Sequence, residues 1–128
     1  MVTEGLRRWF VVHFAVDMLF GIPLLIAPHW ILSLFGWQTI DPFMARLVGA
    51  ALMGIGIESY LGRNAGVEAF RGMLNLKVIW SLTATLGTGY TLLVGDAPAM
   101  GWLVVAMFAV FHGLWLYYRV QLGRLQTV

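Results

Sequence analysis

The sequence predicts an all-α polytopic membrane protein: a four-transmembrane-helix bundle with a short interfacial helix between helices 1 and 2. Three observations predict it. Hydrophobic residues make up 60% of the 128 residues and charged ones only 11%, where a soluble domain carries about a quarter. Four apolar segments, residues 9–27, 43–61, 72–94 and 100–118, are each long enough to cross ~30 Å of hydrocarbon at about 1.5 Å per residue. Strand-like alternation is missing, and only helices or closed barrels satisfy their backbone in lipid. The chain, 1–128, reads as one transmembrane domain.

The first segment follows Arg7 and Arg8 as the apolar part of a signal peptide follows its basic part. It is longer than such a part, and Pro28 directly after Ala27 suits cleavage poorly, so the segment is expected to stay as helix 1. Pro23 inside it predicts a kink, eased by Gly21. Pro28-His29-Trp30 is expected to end the helix, and residues 31–37 to form a short amphipathic stretch. Trp30, Phe35 and Trp37 suit the headgroup layer. Asp41-Pro42 reads as an N-cap with proline at N1, starting helix 2. Residues 62–69 link helices 2 and 3, and Gly95-Asp96-Ala97-Pro98 turns the chain into helix 4. Trp9, Tyr60, Tyr90, Trp102, Tyr117 and Tyr118 fall near segment ends, as an aromatic belt requires.

Arg7 and Arg8, Arg63 and Arg71, and Arg119 and Arg124 all fall on one side of this layout, and only Arg46 on the other. Basic loops stay in the cytoplasm. The expected localisation is the cell membrane, multi-pass, with both termini cytoplasmic. Residues 21–30 faintly echo residues 89–102; a two-hairpin duplication would explain this, but ordinary turn chemistry explains it more simply.

Ionisable groups at membrane depth are costly and mark sites. The candidates are His13, Asp17, Glu58, Lys77 and His112, with Asn75 adding an amide. At the helical rise His13 and Asp17 lie roughly 6 and 12 Å inside helix 1, Glu58 about 6 Å inside helix 2, and Lys77 and His112 about 9 Å inside helices 3 and 4. All fall in the cytoplasmic half. His13 and Asp17, four apart, share a helix face. A bundle would let that face meet the others. They then either organise the bundle as ion pairs and hydrogen bonds, with Glu58 and Lys77 reaching toward headgroups, or line a polar cavity for a proton, ion or polar headgroup.

Several chemistries lack their motif. Cysteine is absent, which removes disulfides and thiolate chemistry. His13, Asp17, Glu58 and His112 could ligate zinc or iron by type, but no HExxH or ExxH spacing occurs and Lys77 repels a cation, so no metal is expected. No cofactor is expected either. Haem, clamped by His13 and His112, and quinone are the alternatives. The seven methionines form no MxxM cluster and read as gap-fillers. No nucleophile–base set or phosphate loop occurs, so the chain leans away from being an enzyme. No basic cluster suits nucleic acid.

Helix association in lipid needs small side chains. Gly49 and Gly54 on helix 2, Ser81, Thr85 and Gly89 on helix 3, and Gly113 on helix 4 are the expected packing positions, with Ala45, Ala50, Gly56 and Ala109 beside them. The partners expected are the bilayer itself and either a second copy or a larger membrane complex.

The segment Arg46-Leu47-Val48-Gly49-Ala50-Ala51-Leu52-Met53-Gly54-Ile55-Gly56-Ile57-Glu58, with Pro28-His29-Trp30 and Leu34-Phe35-Gly36-Trp37, resembles small bacterial and archaeal membrane proteins of the DoxX-like type. The resemblance implies four helices, and for some members a link to quinone-dependent oxidoreductase complexes. It transfers no catalytic residue. The expected function is therefore a small non-catalytic membrane protein or accessory subunit. A proton-coupled carrier of a small or amphipathic solute and a quinone- or haem-binding subunit are the alternatives.

Overall fold

The computed structural model describes residues 1–125. They form five helices in the order α1 (Glu4–Ile26), α2 (Pro28–Leu34), α3 (Pro42–Leu61), α4 (Val67–Leu93) and α5 (Gly101–Arg124). No strand occurs among the described residues. Helices α1, α3 and α5 are long and apolar enough to cross a membrane. The sequence predicts four such helices. The difference is α4, the longest at 27 residues, whose apolar character is diluted by Asn75, Lys77, Ser81 and four threonines.

Local chemistry sets the ends. Thr3 caps α1 through a hydrogen bond from the Leu6 N–H, and Glu4 stands in the first turn, where the helix dipole favours a carboxylate. The helix therefore begins five residues before the apolar segment does. Asp41 caps α3 as expected, accepting from the N–H groups of Phe43 and Met44, with Pro42 behind it. Residues 28–30 do not follow the helix as a breaker. They open α2, because a proline at N1 has no need of an N–H, and only Ala27 leaves helical geometry. Gly36 and Gly95 adopt positive φ, 92° and 81°, and turn the chain after α2 and α4.

The helices fall into two compact units. Thr3–Asn64 forms one; the chain from Ala65 onward forms the other, with Met1–Val2. In the first, α1 and α3 pack antiparallel with α2 against them. In the second, α4 packs on α5.

Buried positions recur at threes and fours. They are Leu6, Phe10, His13, Asp17 and Gly21 on α1, and Ala45, Gly49, Leu52, Gly56 and Ser59 on α3. On α4 they are Phe70, Leu74, Lys77 and Ser81. This is the spacing of one helix face. Large apolar side chains such as Leu19, Ile26, Phe43, Ile79, Leu86 and Val110 stand exposed instead. The molecule thus turns several of its most polar side chains inward and much of its aliphatic surface outward, the reverse of a protein covered by water.

Candidate functional site

The α1–α3 unit is built on glycine. A Cβ on Gly49 would lie 2.8 Å from the Gly21 carbonyl oxygen and 2.9 Å from the Leu25 nitrogen, both backbone atoms. A Cβ on Gly56 would lie 2.6 Å from the Asp17 Cβ. The two backbones therefore approach closely at these glycines, as small side chains allow. That approach seats Asp17 directly against α3.

His13 and Asp17 lie on the buried stripe of α1, 5% and 4% exposed. Their Nδ1 and Oδ2 atoms are 3.5 Å apart. The predicted shared face is thus real, and it points inward. Ser59, one turn beyond Gly56, is buried too, its hydroxyl donating to the Ile55 carbonyl at 2.7 Å. Glu58 is exposed on the opposite side of α3, within a turn of the helix end, and does not join them.

The α4–α5 unit is held by side-chain bonds. Lys77 is 2% exposed, its ammonium 5.0 Å from the centre of the Trp115 ring. One turn along, the Ser81 hydroxyl and His112 Nδ1 share a hydrogen bond of 3.0 Å. Toward the other end, Arg119 Nε donates to the Asn75 side-chain oxygen at 2.6 Å, in an exposed position. Trp80 meets Phe108 edge-on at 6.0 Å. Asn75, Lys77 and Ser81 therefore pair in order with Arg119, Trp115 and His112, an antiparallel ladder of polar contacts. The threonines of α4 are excluded from it. Thr83, Thr85, Thr88 and Thr91 each donate to the carbonyl four residues back, at 2.6 to 3.0 Å.

The predicted packing positions divide accordingly. Gly49 is a tight crossing point, Ser81 a cross-helix bond, and Gly89 an ordinary contact 4.0 Å from Val105. Thr85 bonds its own helix. Nothing comes within 4 Å of a Cβ on Gly54 or Gly113, which face outward. Each imidazole of the predicted haem pair is engaged within its own unit, His13 with Asp17 and His112 with Ser81. Among the described residues no group of three His, Asp and Glu side chains could hold a metal ion.

Sequence reasoning missed one class of residue. Arg46 Nε donates to the Leu25 carbonyl at 3.0 Å, one of the acceptors stranded where α1 ends. Arg7 donates to the Arg63 carbonyl at 2.7 Å, and Arg63 to the Tyr60 carbonyl at 2.6 Å, at the end of α3. The signal was available: each arginine sits within a turn or so of a predicted helix end. Comparison of the chain with family models, with curated proteins and with solved structures finds no match.

Proposed function

We propose that this chain is a multi-pass protein of the cell membrane, with α1, α3, α4 and α5 as its four spans, both termini cytoplasmic, and a non-catalytic role as a small scaffold or accessory subunit. The observation that carries the proposal is the inverted polarity: His13, Asp17, Lys77 and Ser81 inside, an aliphatic surface outside. Helix α4 joins the spans on this reading because its threonine hydroxyls are already bonded to its own backbone. A hydroxyl satisfied in this way costs far less in lipid than its hydropathy suggests. Helix α2, with Trp30 60% exposed, lies in the headgroup layer. The arginine distribution supports the orientation. The role as scaffold or subunit rests on where the polar groups are spent: on bonds inside each helix pair. The DoxX-like resemblance supports the accessory half of the reading.

The chain has no cysteine, so single-cysteine variants label without background. Gly66→Cys in intact cells is expected to resist a membrane-impermeant maleimide, and Asp96→Cys to react. Outer-face labelling of both would overturn the four-span topology. Asp17→Asn and Lys77→Met are expected to lower stability or assembly and to abolish no ion flux.

A second reading is favoured by one observation. The buried His13–Asp17 pair is costly to keep in lipid for stability alone. In a proton-coupled carrier it holds the transported proton. Proton-driven uptake by reconstituted vesicles, present in the natural protein and lost in Asp17→Asn, would establish this reading over the first.

A further inference from the structure

Asn75 stands on the third turn of α4 and Arg119 near the end of α5, and the antiparallel packing of these helices sets them together at one end of their unit. Arg119 is half-buried and Asn75 exposed. Arg119 Nε donates to the Asn75 side-chain oxygen at 2.6 Å. This bond has already ordered the long arginine side chain, so a ligand need not order it again. It uses one of the five guanidinium donors and leaves the Nη1–Nη2 edge of the fork. It also decides the amide: with the oxygen turned to the arginine, the Asn75 NH2 group keeps both of its N–H donors. A Cβ on Gly123, one turn on, would lie 3.5 Å from Arg119 Nη1, so the guanidinium lies back along α5 toward the helix end. Among the described residues no carboxylate pairs with Arg119. Glu68, the acid at this end of the unit, is taken by Arg71 at 3.0 Å. Tyr117, 60% exposed, marks this end as the aromatic layer where headgroups lie.

We infer that Arg119 and Asn75 together hold the phosphate of an anionic phospholipid in the cytoplasmic leaflet, an inference that rests on the membrane reading above. A phosphate accepts two parallel N–H bonds from the Nη edge of a guanidinium, charge-assisted bonds roughly twice as strong as neutral ones. The Asn75 NH2 group beside it supplies a further donor. The cytoplasmic leaflet supplies anionic lipids next to basic segments. Arg119 brings the charge, and Asn75 holds the guanidinium in place without cancelling that charge, as a carboxylate at the same position would.

The test is native mass spectrometry of the protein purified in a mild non-ionic detergent, titrated with phosphatidylglycerol or with phosphatidylcholine of the same chains. The natural protein is expected to prefer phosphatidylglycerol, and Arg119→Gln to lose affinity for it about tenfold. Asn75→Asp is the sharper variant. It keeps an acceptor for Arg119 Nε but turns the bond into an ion pair that cancels the charge and removes the amide donors. It is expected to lose affinity about tenfold as well, with helicity by circular dichroism unchanged. A bond that served only to join α4 to α5 would leave lipid preference intact in this variant. Arg8→Gln removes an equal charge from the same membrane face but breaks only an exposed pair, and is expected to change affinity by less than about twofold. Equal binding of the two lipids by the natural protein, or full retention in Asn75→Asp, overturns the site. Displacement of phosphatidylglycerol by millimolar inorganic phosphate overturns the lipid source. If Arg119→Gln fails to fold, Asn75→Asp decides alone, since its ion pair keeps the two helices joined. A carbonate wash of the same membranes separates the two failures. A chain that washes off sinks the membrane reading, whereas a retained chain without lipid preference sinks only this site.

Discussion

The two compact units solve the same problem in different ways. Helices α1 and α3 meet backbone to backbone, across Gly21, Gly49 and Gly56, where a Cβ would fall between 2.6 and 3.1 Å from its nearest neighbour. Helices α4 and α5 meet side chain to side chain, through Asn75–Arg119, Lys77–Trp115 and Ser81–His112. Here one glycine is close, Gly101, where a Cβ would meet the Leu92 side chain at 3.0 Å, while Gly72, Gly87 and Gly113 have open space where a Cβ would go. In lipid there is no hydrophobic force to bring helices together, so association rests on close contact or on polar bonds. On the membrane reading proposed above, each unit relies mainly on one of these. The difference has a consequence for charge. The glycine crossing brings one buried acid, Asp17, against α3, while the α4–α5 contact holds a lysine, an imidazole and an indole.

The comparison breaks most readily at Gly49. Gly49→Ala sets a methyl against two backbone groups that no rotamer change can move, so the crossing must open. A cost of about 2–3 kcal/mol is expected from overpacking, read by reversible unfolding in mixed detergent. Gly54→Ala is the control. It lies on the same helix with nothing within 4 Å, and it is expected to be neutral or stabilising by about 0.5 kcal/mol. Equal effects at the two positions would show that the helices do not cross where the geometry places them.

The two glycines also mark what the sequence discloses. A glycine-rich helix 2 is legible, and so is a small-residue stripe. Which glycines face a neighbour is not, because Gly49 and Gly54 look alike until the partner's register is known. The buried stripe itself was nearer to hand. Ala45, Gly49, Leu52, Gly56 and Ser59 repeat at fours and threes, and that spacing points to Ser59, which a search for charges passes over. The same holds for His13 and Asp17, whose shared face follows from their spacing, whereas the exposure of Glu58 requires the packing of α3. Arginines read only as topology signals turn out to close helix ends, since a carbonyl stranded at a helix terminus has no signature in the sequence.

The second unit is expected to fail bond by bond. Ser81→Ala removes the partner of His112 and is expected to cost about 1 kcal/mol. In a double-mutant cycle with His112→Phe, the coupling is expected near 0.6 kcal/mol and below about 1.7 kcal/mol, the range for polar bonds between membrane helices. Coupling indistinguishable from zero would mean that packing, and not this bond, joins α4 to α5.

The smallest effect is the most informative about α4. Its threonines give the helix a polar look, and a hydroxyl-rich face invites a pore. Yet Thr83 donates to the Ile79 carbonyl at 2.8 Å and Thr88 to the Ala84 carbonyl at 2.6 Å, so neither hydroxyl hydrogen faces outward. Valine has nearly the same shape and leaves those carbonyls bonded to the backbone N–H groups they already serve. Thr83→Val and Thr88→Val are therefore expected to change stability by less than about 0.5 kcal/mol, and membrane insertion of α4 by glycosylation mapping not at all. If the hydroxyls instead line a water path, valine at Thr88 would strip it of donors and measurably slow any conductance. On the membrane reading proposed above, a helix whose polarity is spent on itself can sit in lipid as α1 or α5 would, and it is the satisfied hydroxyls, not the residue types, that support this for α4.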